Sequence, residues 1–365
     1  MDQFVFLLVV GGRFLLPLLI PRFPLPAIIA CLVLDGVDQT IFQLFGYDPP
    51  GYQSYDKAMD IFYLSVAYLA AMRNWDNLHA FAVARFLFYY RLAGAFLFEM
   101  THERMILLIF PNTFEYFFIA YEVVRLYWNT ATIRMRSWVL TAAAIWIFVK
   151  LPQEYWLHVA EMDVTDTLRD YPWTRWALVI GILAILAILW FVVRPRVPAP
   201  DHALRVSAEP IPAVVDTGTK VAALRVGRDW VWSWMTLEKI VLVGLISVIY
   251  AQILPGMSSS TGRLFVAIGS FVFANAVITL AASRRRWTPE GAALAFMARL
   301  LANVVLLVVV NVFYSKDLIG WNSLFFLCLI SLLTTLHDRY QPAYAWRQKV
   351  AAGVATEAAS AEPVT

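Results

Sequence analysis

The chain has 365 residues, of which 61% are hydrophobic and 15% charged. A water-soluble body of that size normally carries about 25% charged residues, so the composition excludes one. The formal net charge of +3 comes with no nucleic-acid motif, and no nucleic-acid partner is expected. Runs such as "WALVIGILAILAILWFVV" (176–193) and "GAALAFMARLLANVVLLVVVNVFY" (291–314) reach the length of a membrane span, about 20 apolar residues. They do not alternate in polarity, and lipid offers the backbone no hydrogen-bond partner, so helix is the reading. The expected fold class is all-α: a polytopic transmembrane helix bundle of about eleven spans.

By hydropathy the spans fall near 4–20, 25–45, 57–72, 76–98, 112–128, 137–151, 174–193, 240–256, 264–283, 291–313 and 319–336. The N-terminus "MDQFVFLLVVGGRFLLPLLI" has no basic stretch before its apolar run and reads as a first span, not a cleaved signal. Pro17, Pro21, Pro24 and Pro26 leave two forms open for residues 1–45, two spans or a re-entrant pair. In "CLVLDGVDQTIF", Asp35 and Asp38 share a helix face. They can bind a cation or a shared proton, or pair with Arg85 or Arg91 of another helix. Arg85 and Arg91 are six residues apart, so they point in different directions and cannot form one anion clamp; the expected reading is pairing with separate acids, the other substrate binding. Asp60 is a further acid placed within a span.

In "FPNTFEYFFIAYEVVR", Glu115 and Glu122 lie nearly on one stripe. Arg125 is three residues past Glu122 and within pairing reach. Glu115 has no local partner, and is either a proton or cation group or bonded to a neighbouring helix. Two acid–histidine clusters follow the same pattern. "FLFEMTHERM" holds Glu99 and His102, and "KLPQEYWLHVAEMD" holds Glu154, His158 and Glu161. Glu-x-x-His on facing helices suits paired metals, and imidazole with carboxylate suits zinc. The other reading of both clusters is the wet face of an interfacial helix, and Lys150 on the same stripe opposes a cation.

The stretches "ARFLFYYRLAGAFLFE", "IFPNTFEYFFIAYE" and "KLPQEYWLHVAEMDVTD" resemble those of an actinobacterial family of integral membrane proteins. The likeness covers roughly residues 30 to 170. It implies a membrane-embedded fold and brings no catalytic residue with it.

Residues 1–193 therefore read as a charge-rich transmembrane block. Residues 194–239 read as a cytoplasmic linker, proline-rich at first, with Trp230, Trp232 and Trp234 at the interface. Residues 240–338 read as an apolar four-helix block with Arg299, Asn275, Asn303 and Asn311 as its polar members, and 339–365 as a cytoplasmic, partly disordered tail. Cys31 and Cys328 both sit in apolar runs, so no disulfide is expected. With the C-terminus inside, eighteen Lys and Arg fall in inner loops against seven outside, so the positive-inside rule predicts a cytoplasmic C-terminus and an N-terminus outside, for a multi-pass protein expected in the inner membrane.

The expected function is a transporter or channel-like protein with a polar path of Asp35, Asp38, Asp60, Arg85, Arg91, Glu115 and Glu122. The alternatives are a membrane-embedded enzyme acting on lipid or a lipid-linked substrate, and a structural or assembly subunit of a membrane complex. Expected partners are membrane lipids, a small-molecule or lipid substrate, and a membrane complex partner. A divalent metal at the outer face would be held by Glu99, His102, Glu154, His158 and Glu161. No Walker loop, HExxH or CxxC pattern supports a soluble catalytic template.

Overall fold

The computed structural model describes residues 2–45, 52–158, 171–211, 234–253, 289–314, 321–351 and Gly353. All regular structure among the described residues is helical. Helix α1 spans Asp2–Leu15 and runs into a 3-10 turn, Leu16–Leu19, where Pro17 removes a helical donor. Helix α2, Pro24–Leu44, opens on a proline, whose missing N–H costs nothing in a first turn. The two are separate helices packed on each other.

Helix α3, Tyr52–Asn74, is the pillar of the bundle. Every residue from Ile61 to Met72 is buried, as expected of a helix surrounded by others. Helix α4, Leu78–Thr101, is capped by Asn77, which accepts from the Ala80 N–H at 2.8 Å. It ends where His102 takes the left-handed conformation, φ 58°. The short α5, Met105–Ile109, and α6, Thr113–Arg125, are separated by Phe110 to Asn112. Helix α7, Met135–Ile145, reaches α8, Leu151–His158, through a π turn over Trp146–Lys150. Pro152 cannot donate to the carbonyl four residues back, and the ladder shifts register there.

Helix α9, Trp173–Ala187, carries exposed apolar side chains such as Trp176, Ile180 and Leu183. The second block contributes α10, Trp234–Ile253, α11, Pro289–Tyr314, and α12, Trp321–Ala351. The expected span 264–283 and the end of the tail lie outside the described residues. Helix α12 continues well past residue 336, where the sequence reading ended its last span, and includes Pro342. Among the described residues, three helical stretches are long and apolar enough to cross a membrane: Leu78–Thr101, Met105–Arg125 and Met135–Trp156. Helices α10 and α12 pack against α3, and α10 also against α4, so both blocks share one core. Stacked rings run through it, Tyr68 on Phe88 with centroids 4.5 Å apart and Trp75 on Tyr121 at 3.8 Å.

Several connections meet at one end of the bundle. Arg73 donates to the Pro21 carbonyl at 2.8 Å, and Asn77 to the Thr130 and Ile133 carbonyls at 2.7 and 2.8 Å. Arg347 pairs with Asp76 at 2.9 Å. The start of the expected linker is pinned there too. Asp201 and Arg205 N–H groups donate to the Tyr127 and Leu126 carbonyls, and Ala208 N–H to that of Arg22.

The second block is closed around one carboxylate. Asp338 on α12 accepts from Lys239 on α10 at 2.8 Å and from Arg299 on α11 at 2.7 Å, and all three are buried. Arg299 also donates to Thr335 Oγ1 at 2.8 Å, and Asn303 to Ser331 Oγ at 2.8 Å. Removing one partner of a buried ion pair strands the rest, at a cost of about 3–5 kcal/mol. Asp338→Asn is therefore expected to lower the thermal midpoint of the detergent-purified protein sharply, by differential scanning fluorimetry. An unchanged midpoint would mean that Asp338 does not hold the three helices together.

Candidate functional site

Arg13 sits in the last turn of α1, with its side chain 3% exposed. Helix α2 offers it Asp35 and Asp38, three residues apart, and α3 offers Asp56 and Asp60, four apart. Nη1 donates to Asp38 Oδ2 and Asp56 Oδ1, both at 2.5 Å. Nη2 donates to Asp60 Oδ1 at 2.7 Å and to Asp35 Oδ1. Both terminal nitrogens of the guanidinium are thus divided between two helices. Asp38 is fully buried, whereas Asp35, Asp56 and Asp60 are partly open. One oxygen from each of these three lies within 4.8 Å of the others.

Four carboxylates around one guanidinium leave acid in excess within the cluster. Like charges that close favour either a shared proton or a bound cation. The donor set is all oxygen, which suits a hard cation and not zinc.

Beside the cluster lies a cavity of about 80 Å³, bounded by α3, α4, α5 and the start of α6. Its polar wall holds Lys57, Asp60, Arg91, Glu99 and Asn112, and Phe88, Leu92, Phe98 and Phe114 are among its apolar members. Asp60 belongs to both the cavity and the Arg13 cluster. Arg91 donates to the Phe110 carbonyl at 3.1 Å, and Tyr90 to that of Ile109 at 3.0 Å. These carbonyls end α5 and have no helical partner of their own, so α4 caps it. The fit depends on Gly94, where a Cβ would overlap Cβ and Cγ of Phe110.

The remaining expected path residues are dispersed. Among the described residues Arg85 pairs with none of the first-block acids; its Nε lies 3.6 Å from Glu238 on α10, and it faces the rings of Phe81 and Tyr344. Glu115 accepts from Tyr63 at 2.6 Å and Asn112 at 2.9 Å. Glu122 takes Arg125 at 2.6 Å, the pairing its spacing implied, and also Trp75 Nε1 at 2.8 Å. Of the expected metal ligands, Glu99 faces Lys57 at 3.2 Å, and Glu154 faces Lys150 at 3.5 Å and accepts from Asn112 N–H. His102 is exposed. The side chain of His158, and all of Glu161, lie outside the described residues. Glu154 accepts from Asn112, and Glu99 lines the same cavity as Asn112, but each of the two acids has a lysine beside it.

Arg13 and Asp56 were not singled out by sequence reasoning. The available signal was the i, i+4 spacing of Asp56 and Asp60, with Arg13 the sole cation of the first 21 residues. No family model, curated protein or solved structure matches the chain.

Gly94→Ala is expected to force Phe110 away from α4 and to destabilise the protein by about 1–3 kcal/mol, the usual cost of overpacking. Gly11→Ala, with nothing within 4 Å of the added carbon, serves as the comparison. Denaturant titration of the two variants checks this, and equal midpoints would contradict the close α4–α5 approach.

Proposed function

We propose that the chain is a polytopic protein of the bacterial inner membrane, of about eleven spans with its C-terminus in the cytoplasm. It carries a small solute across the bilayer, coupled to protons or a small cation. Asp60 is the observation that carries this reading, because it ties the Arg13 cluster to the cavity wall. A proton or cation arriving at Asp35, Asp56 and Asp60 weakens the hold on Arg13 and changes the charge facing the cavity. Ion and solute then alter each other's affinity by the same factor, as linkage requires. The orientation is supported by the meeting of Arg22, Asn77, the 126–133 turn, the 201–208 segment and Arg347 at one end. These belong to the loops that the Lys and Arg count places inside. Helices α10 to α12, closed around Asp338, serve as a brace for the first block.

The test is flux in proteoliposomes holding a pH-sensitive dye, with sodium, potassium and a panel of small solutes added outside in turn. At least one solute is expected to drive a proton or cation flux above that of empty vesicles. Asp60→Asn should reduce that flux about tenfold or more, the scale of losing one charge-assisted contact. Asp76→Asn, at the opposite end and exposed, should leave it unchanged. Flux no greater than in empty vesicles, or equal flux in Asp60→Asn and wild type, would overturn the reading.

A further inference from the structure

We propose that the cavity beside Asp60 binds a small monocarboxylate with a short alkyl chain, and that Arg91 holds its carboxylate. As a statement about transported substrate this rests on the transport reading; as a statement about binding it stands on the cavity alone.

The charges of the wall identify the ligand's charge. Lys57 lies 3.2 Å from Glu99 and 4.5 Å from the Phe98 ring, and Asp60 is bound to Arg13. Arg91 differs. Among the described residues no carboxylate pairs with it, and its one recorded acceptor is the Phe110 carbonyl. A guanidinium has five N–H donors, so one carbonyl leaves most of them for another acceptor. At the edge of the cavity, a guanidinium whose hydrogen bond is to a carbonyl gains a charge-assisted contact from an anion. The carboxylate plane matches its fork in bidentate form.

A single negative charge fits better than two. Asp60 and Glu99 share the wall, and its other cation, Lys57, already pairs with Glu99, so a phosphate dianion would set two charges beside Asp60 against Arg91. The rest of the lining is apolar, from Leu64, Phe88, Leu92, Phe98, Leu107 and Phe114, which suits methylenes. Size limits their number. The cavity measures about 80 Å³. With about 10–15 Å³ of such space per water-sized atom, it takes about six heavy atoms. Butyrate has that size, and a membrane acyl chain far exceeds it.

Isothermal titration calorimetry on the full-length protein in detergent tests the proposal, with butyrate, butylamine, butan-1-ol, inorganic phosphate and decanoate as separate titrants. Saturable binding of butyrate, tighter than that of the other four, is expected. Arg91→Gln should weaken it about tenfold or more. Ala95→Phe, which fills the cavity and leaves Arg91 in place, should remove it too, so loss of binding does not depend on one variant's folding. Arg136→Gln, on an exposed surface, should bind as wild type does.

Absence of saturable butyrate binding would overturn the proposal, as would equal binding by Arg91→Gln. Tighter binding of butylamine or butanol would show an apolar cavity without anion selection, and tighter binding of phosphate or decanoate a different class of anion. Each of these results also overturns it. The two readings fail separately. Butyrate bound but driving no flux in vesicles would sustain this site and count against butyrate-coupled transport. Flux driven by another solute, with no butyrate bound, would do the reverse.

Discussion

A charge buried inside a bundle of apolar helices is costly unless another charge in the same bundle pairs with it, because the apolar interior supplies neither counterion nor water. That constraint organises this protein. Arg13 joins α1 to α2 and α3, Asp338 joins α10, α11 and α12, and Glu122 joins α6 to Trp75 of the loop after α3. Each is a point where helices distant in sequence are held at one register. Apolar packing alone specifies register loosely, since one greasy face fits another at several offsets, and a buried polar pair distinguishes among them.

The two blocks meet the constraint differently. In the second, one carboxylate faces two cations, and the Arg299–Thr335 and Asn303–Ser331 hydrogen bonds tie α11 to α12 beside it. In the first, four carboxylates face one guanidinium, and the cluster adjoins a cavity. Like charges held that close favour a shared proton or a bound cation, and Asp60 is the member of the cluster that also lines the cavity. On the far side of the cavity Gly94 lets Phe110 lie against α4, which brings its carbonyl to Arg91. The two arginines thus have different surroundings: Arg13 is saturated with acid, and Arg91 is held by one main-chain oxygen.

Much of the helical architecture was legible in hydropathy, because the long apolar runs do not alternate in polarity as strands would. The Glu122–Arg125 pair was legible too, since i, i+3 spacing is a local property. The partner of Arg85 was not. Glu238 lies on a helix far along the chain, and nothing in the spacing of one helix encodes a neighbour on another. The reach of α12 was missed for the same reason. His337, Asp338 and Arg339 lower the local hydropathy and read as the end of a span, yet Asp338 is buried by cations from α10 and α11. The Arg13 cluster falls between these cases. Its aspartate pairs were visible as spacings, but the cation that gathers them comes from a third helix. At the acid–histidine clusters the chain itself supplies cations, Lys57 beside Glu99 and Lys150 beside Glu154. Lys150 was visible on its stripe, and Lys57 on another helix was not.

The account turns on Arg13 as the counter-charge that lets the aspartates of α2 and α3 sit together in the bundle. Its most direct test is the stability of Arg13→Gln, Asp38→Asn and the double variant, measured by thermal unfolding in one detergent. Arg13→Gln should be strongly destabilised, by several kcal/mol, because it strands a buried carboxylate. Adding Asp38→Asn should recover part of that loss, since the stranded charge is then gone. Arg13→Gln as stable as wild type, or a double variant whose loss is the sum of the two single losses, would contradict the account.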